Sequence, residues 1–124
     1  MSKKVTALRG AARCLNSRED IAGQVSALYD ELLRANGLAE GDIVSLIFSM
    51  TPDLDALNPA SALRQSGRAP DLALFALQEA AVQGGLDGVI RVLIHCYLDE
   101  KARPVHVYRN GAEILRPDRG NASP

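Results

Sequence analysis

The sequence predicts an α+β domain with more strand than helix. Three observations predict it. Short apolar runs of strand length, each closed by glycine, proline or polar residues, recur along the chain. One longer segment carries its apolar residues at helical spacing. A second, shorter segment opens on an asparagine followed by proline, the pattern of a capped helix start.

In chain order, KVTAL (4–8) reads as a short strand, followed at once by Arg9-Gly10. A helix begins near Ser17, with Asp20 completing a weak capping box. Ile21, Val25, Leu28 and Leu32 fall at i, i+4, i+7 and i+11 and mark its buried face. Gly37 suits the left-handed residue that ends it. IVSLIF (43–48) is a buried strand, broken by Thr51-Pro52-Asp53. Asn58-Pro59 opens a short helix to about Gln65, closed by Gly67 and Pro70. LALFAL (72–77) is strand-like, Gly84-Gly85 marks a turn, and VIRVLIHCY (89–97) is the strongest strand signal. VHVYR (105–109), Asn110-Gly111 and AEIL (112–115) form a two-residue hairpin signature, stopped by Arg116-Pro117. Residues 1–118 are read as one domain and 119–124 as a flexible C-terminal tail.

A chain of 124 residues suffices for a single hydrophobic core. With 4% aromatic residues and no tryptophan, that core must be aliphatic. A net charge of −1 leaves no electrostatic footprint for nucleic acid or an anionic membrane. No apolar run approaches the roughly 18 residues of a membrane span. The start, MSKKVTALRG, is too short in apolar residues for a signal peptide, so a cytoplasmic location is expected. Cys14 and Cys96 form no CxxC and are expected as free thiols. His95 and His106 stand at no metal-ligand spacing from either cysteine, and no metal is expected.

The charges pose a question. Glu79 follows one apolar run and Arg91 sits inside the next, with Gly84-Gly85 between. In a strand over 89–97, alternation puts Ile90, Val92, Ile94 and Cys96 on a core face. Arg91 then shares the opposite face with Val89, Leu93, His95 and Tyr97. Pattern alone admits an arginine snorkelling over the sheet, one paired with a carboxylate, or one facing a ligand. The hairpin register places Val107 and Ile114 toward the core and Tyr108 and Leu115 away from it. That leaves Tyr108 as a surface residue or a pocket wall. Arg9, Arg64 and Arg116 recur near element ends, where they are solvated or converge on a small dianion.

Six motifs in order carry a resemblance. They are Arg9-Gly10-Ala11; TPDL (51–54) with Pro59-Ala60; Gln78-Glu79 with Gly84-Gly85-Leu86; IRV (90–92); HVY (106–108); and LRPD (115–118). Together they resemble the monofunctional chorismate mutases of the AroH class over nearly the whole chain. The resemblance implies a mixed β-sheet packed with helices, assembling as a trimeric pseudo-α/β-barrel with active sites between subunits. It implies rearrangement of chorismate to prephenate on the route to phenylalanine and tyrosine, with no cofactor or metal. Arg91 matches the arginine that donates to the breaking ether oxygen, and Glu79 the carboxylate that accepts from the ring hydroxyl. Arg9 matches an arginine that grips a substrate carboxylate, and Tyr108 a phenol lining the pocket. Arg64 matches an arginine on a substrate-facing helix, and Leu115 and Arg116 a wall near the C-terminus. On this basis Glu79 and Arg91 are expected to meet a substrate rather than each other.

The chain departs from the family pattern at Ala12, Asn58, Ser61, Phe75 and Ala76. Asn58, Phe75 and Ala76 fall on the segment expected to line the pocket from a neighbouring subunit. The alternatives are a related pericyclic enzyme acting on another chorismate derivative and a non-catalytic trimeric carboxylate-binding module.

Overall fold

The structure, a computed structural model, describes residues 2–115. The strands are β1 (Lys3–Arg13), β2 (Ile43–Met50), β3 (Ala73–Gln78), β4 (Val89–Asp99) and β5 (Val107–Arg109). The helices are α1 (Arg18–Asn36) and α2 (Pro59–Gln65), and single 3-10 turns occupy Glu40–Asp42 and Ala112–Leu115. Both helix starts follow local chemistry. The Ser17 hydroxyl accepts from the Asp20 amide at 3.1 Å, and Asn58 Oδ1 accepts from the Ala60 and Ser61 amides. Gly37 closes α1 in the left-handed conformation, with φ 56°.

The strands form one mixed sheet in the order β3-β2-β4-β1-β5. Central β4 runs antiparallel to β2 and β1, while β3 is parallel to β2 and β5 is parallel to β1. Ile90, Val92, Ile94 and Cys96 are all buried, as the alternation requires. They join Leu8 and Ala12 of β1, Leu46 and Phe48 of β2, the apolar stripe of α1 and Leu63 of α2 in one core. Each fully buried aliphatic side chain contributes about 1.5–3 kcal/mol. The helices therefore cover one face of the sheet. The other face carries Arg9, Ser49 and Arg91 together with the exposed apolar side chains Val5, Phe75, Leu77 and Tyr97.

Two sequence expectations are corrected. The first strand does not end at Leu8 but continues through Arg9-Gly10 to Arg13. Gly10 is a packing glycine: a Cβ there would sit 2.9 Å from Leu32 Cδ1 and 3.0 Å from Leu28 Cδ1, so its absence lets α1 lie close on β1. The hairpin does not form either. Asn110 and Gly111 adopt the positive φ that the dipeptide favours, 56° and 99°. The chain then coils into the 3-10 turn instead of returning as a strand. The Gly111 amide donates to Glu113 Oε1 at 2.8 Å, and Asn110 Nδ2 donates to the Arg13 carbonyl. Ala112 and Leu115, three residues apart, pack on Ala11, Val89 and Tyr108, while Ile114 is exposed rather than in the core.

Candidate active site

Four strands point one way and β4 the other, so the carboxyl ends of β2 and β3 meet the amino end of β4. Met50 lies opposite both Gln78 and Ile90, and Arg13 lies opposite Val89. The functional side chains gather there.

Arg9 lies opposite Leu93, and Ala11 lies opposite Arg91, so Arg9 and Arg91 are diagonal neighbours on one face of adjacent strands. On its other side Ala11 pairs with Tyr108 of β5. Ala11 contributes only a methyl between guanidinium and phenol. A cavity of about 280 Å³ occupies this region, lined by Arg9, Ala11, Ile47, Ser49, Arg91 and Tyr108. Tyr108 is buried against Ala11, Val89 and Ala112, which fixes its ring as a wall. The Arg9 amide donates to His106 Nδ1 at 3.0 Å, fastening β1 to the segment that leads into β5. That bond requires the His106 tautomer with Nδ1 unprotonated.

Glu79 follows β3 directly, and its amide donates to the Met50 carbonyl at 2.8 Å. Arg91 Nε lies 2.8 Å from Glu79 Oε1. The expectation that these two charges avoid each other is therefore corrected: they form an ion pair. The physical reason is topological. β2 lies between β3 and β4, and the end of β3 brings Glu79 across β2 to the amino end of β4. The shortest approach of the pair is through Arg91 Nε, and among the described residues neither terminal amino group of Arg91 donates a hydrogen bond. A second cavity of about 300 Å³ lies beyond it, lined by Thr51, Asp53, Glu79, Val82, Leu86 and Arg91. Arg91 borders both cavities.

The amino end of β4 is held firmly. The Val89 amide donates to Thr51 Oγ1, and the Gly88 amide donates to Asp53 Oδ1 at 3.2 Å. The Thr51 hydroxyl, and after it the Gly88 amide, hold the Asp53 carboxyl below the usual carboxylate range, against an opposing desolvation. Thr51, Asp53 and Ser49 were not singled out as site residues from sequence. Ser49 shares strand parity with Ile47 on the face opposite Leu46 and Phe48, which was the available signal.

The remaining expected residues do not join this cavity within one chain. Phe75 and Ala76 lie on edge strand β3, with Phe75 exposed. Asn58 is occupied in capping α2, and Arg64 Nη2 donates to the Leu72 carbonyl at 2.9 Å. Leu115 packs beside Tyr108, and Arg116 lies outside the described residues. Both cysteines are buried free thiols, and burial pushes Cys14 up to about 11. Among the described residues no group of three or more His, Cys, Asp or Glu is placed to hold a metal. No helix there is long and apolar enough to cross a membrane.

Comparison with known proteins bears on this arrangement. Residues 5–119 match the family described as chorismate mutase type I. The chain is 31% identical over 116 residues to chorismate mutase AroH of Bacillus subtilis, covering 92% of this chain and 91% of that protein. It is 36% identical over 119 residues to chorismate mutase AroH of Thermus thermophilus, covering 90% and 95%. A solved structure of a chorismate mutase from Clostridium thermocellum superposes with a TM-score of 0.82 at 40% identity, covering 89% of this chain and 99% of that one.

Proposed function

The chain belongs to the chorismate mutase type I family and is an isomerase of that class, and from this premise we propose how its own residues carry out the conversion of chorismate to prephenate. A [3,3] rearrangement needs no nucleophile and no proton transfer. The protein has two tasks: to hold the flexible side chain of the substrate over the ring, and to stabilise the negative charge that grows on the ether oxygen as the C–O bond breaks. The observation that carries the reading is the convergence of Arg9, Arg91 and Tyr108 on one cavity, with Glu79 tied to Arg91 at its edge.

Arg91 donates from its terminal amino groups to the ether oxygen and a carboxylate. A cation fixed before the reaction stabilises the transition state more than the ground state. Glu79 accepts from the ring hydroxyl. Arg9 grips a carboxylate, Tyr108 walls the pocket, and Leu115 bounds it near the C-terminus. The uncovered sheet face, with Phe75 62% and Leu77 48% exposed, supports a homotrimer in which neighbouring subunits close that face. In that assembly Asn58, Arg64, Phe75 and Ala76 line the pocket of the adjacent subunit. The enzyme is cytoplasmic in this reading and serves phenylalanine and tyrosine synthesis.

The test is direct conversion of chorismate, followed by loss of its ultraviolet absorbance. The parent protein should turn chorismate over, and Arg91→Ala should abolish turnover with the fold intact. An Arg91→Ala variant as fast as its parent overturns the mechanism. One observation favours a narrower variant of the reading: Phe75 presents a large ring at the edge strand where the pocket wall is expected. Assaying chorismate beside 4-amino-4-deoxychorismate decides between the two substrates, and a clear preference for chorismate removes the variant.

A further inference from the structure

Glu79 must present one oxygen to its ligand in a constant direction, and the structure shows what holds it. Its backbone is fixed by the Met50 carbonyl, which accepts the Glu79 amide. Its side chain is fixed by Ser49, the residue before Met50 on β2. Ser49 Oγ donates to Glu79 Oε1 at 2.7 Å, and Arg91 Nε lies 2.8 Å from that same oxygen. Ser49 reaches that oxygen from a position directly opposite Arg91 on β4, in the cavity that Arg91 also lines. The Ser49 hydrogen bond and the Arg91 charge, both on Oε1, fix the rotation of the carboxylate. Among the described residues no donor is bonded to Oε2.

We propose that Ser49 is a positioning residue for the rearrangement: by donating to Oε1 it directs Oε2 of Glu79 at the ring hydroxyl of the substrate. This rests on the functional reading above, in which Glu79 takes that hydroxyl. Ser49 itself does not touch the reacting atoms. Without it, the carboxylate is held by Arg91 alone, around which it can swing into a two-oxygen pairing with the guanidinium. Such a fork is the geometry that arginine and carboxylate prefer. It withdraws Oε2 from the substrate and engages an Arg91 amino group needed at the ether oxygen. A hydroxyl at this position therefore keeps the two charges paired through one atom each, so that both remain available. An apolar residue would fit the strand equally well but would lack the donor.

The experiment is a double-mutant cycle with chorismate as substrate. Ser49→Ala should lower kcat/KM about ten- to a hundredfold, the range carried by a hydrogen bond to a charged group, with its thermal midpoint close to the parent's. Ser49→Thr, which keeps the hydroxyl on a strand-compatible side chain, should recover activity to within a few-fold. In a Glu79→Ala background, Ser49→Ala should change the residual rate by less than about twofold, because no carboxylate remains to be aimed. A Ser49→Ala variant as fast as its parent overturns the proposal while leaving the mutase reading intact. So does an equal loss in both backgrounds, which marks a purely structural effect. A parent protein that leaves chorismate unchanged overturns the functional reading, and this proposal with it.

Discussion

Thr51 and Val89 bond each other in both directions. The Thr51 amide donates to the Val89 carbonyl, and the Val89 amide donates to the Thr51 hydroxyl oxygen, each at 3.0 Å. Val89 opens β4 two residues before Arg91, so this pair sets where the strand, and its guanidinium, begins. Thr51 is also buried, so an unanswered partner there cannot turn to water. Thr51→Val keeps the shape and removes the acceptor. It should cost about 1–3 kcal/mol, the penalty of a stranded buried donor, read as a lower urea midpoint at unchanged slope. Thr51→Ser keeps the oxygen and should lose less than about 1 kcal/mol, as expected where only a methyl is removed.

Arg9 should separate binding from chemistry. It reaches the cavity from β1, beside Arg91 but on the opposite side from Glu79. In the proposed pose it holds a carboxylate in ground state and transition state alike, which is uniform binding. Arg9→Ala should therefore raise KM about ten- to a hundredfold with a smaller change in kcat, the size of one charge-assisted hydrogen bond. Steady-state kinetics on chorismate check this. A fall in kcat at constant KM instead assigns Arg9 to the ether oxygen.

Acid should loosen the turn that carries β4. The Asp53 carboxyl is lowered by the Thr51 hydroxyl first and by the Gly88 amide, and Asp30 is lowered by its hydrogen bond from Arg68. A carboxyl with a folded value below its unfolded one binds fewer protons when folded. Its stabilisation is complete above the ordinary value of 3.8 and fades as pH falls below that toward the folded value. Unfolding midpoints followed from pH 6 downward should therefore drop most steeply below about pH 4, near the ordinary carboxylate value. Asp53→Asn should flatten that decline while lowering the midpoint at neutral pH.

The sequence made legible what local chemistry decides and concealed what only pairing decides. Ser17, Gly37 and Asn58-Pro59 carry their caps in their own side chains and backbone preferences, and both helices begin where those residues stand, and α1 ends at Gly37. The alternation over 89–97 placed Arg91 on the uncovered face correctly for the same reason. Gly10 misled because a glycine closing a strand and one admitting a helix are the same letter. Only the nearness of Leu28 and Leu32 distinguishes them. Asn110-Gly111 formed its turn, but a hairpin also needs a returning strand, and the segment from Ala112 found a better place by burying Ala112 and Leu115 on Tyr108. The Glu79–Arg91 pair and the Ser49 hydroxyl beneath it depend on β2 lying between β3 and β4, a fact of strand order that no local pattern contains.

The uncovered sheet face makes the last prediction. Phe75 and Leu77 from β3 and Tyr97 and Val5 from β4 and β1 leave apolar surface on the side opposite the helices. Exposed apolar surface of that kind marks an interface in a folded protein. In the proposed homotrimer, solution mass should correspond to three chains. Phe75→Asp places a carboxylate on this face without touching the core, because Phe75 is already exposed. Burying an unpaired charge in the assembled form costs several kcal/mol, so the variant should sediment as a single chain with unchanged helix and strand content. Its chorismate turnover should fall with the assembly, since Asn58, Arg64 and Ala76 do not reach the Arg9–Arg91 cavity of their own chain. A single-chain variant retaining full turnover shows instead that one subunit builds the whole site, and the shared cleft is then wrong.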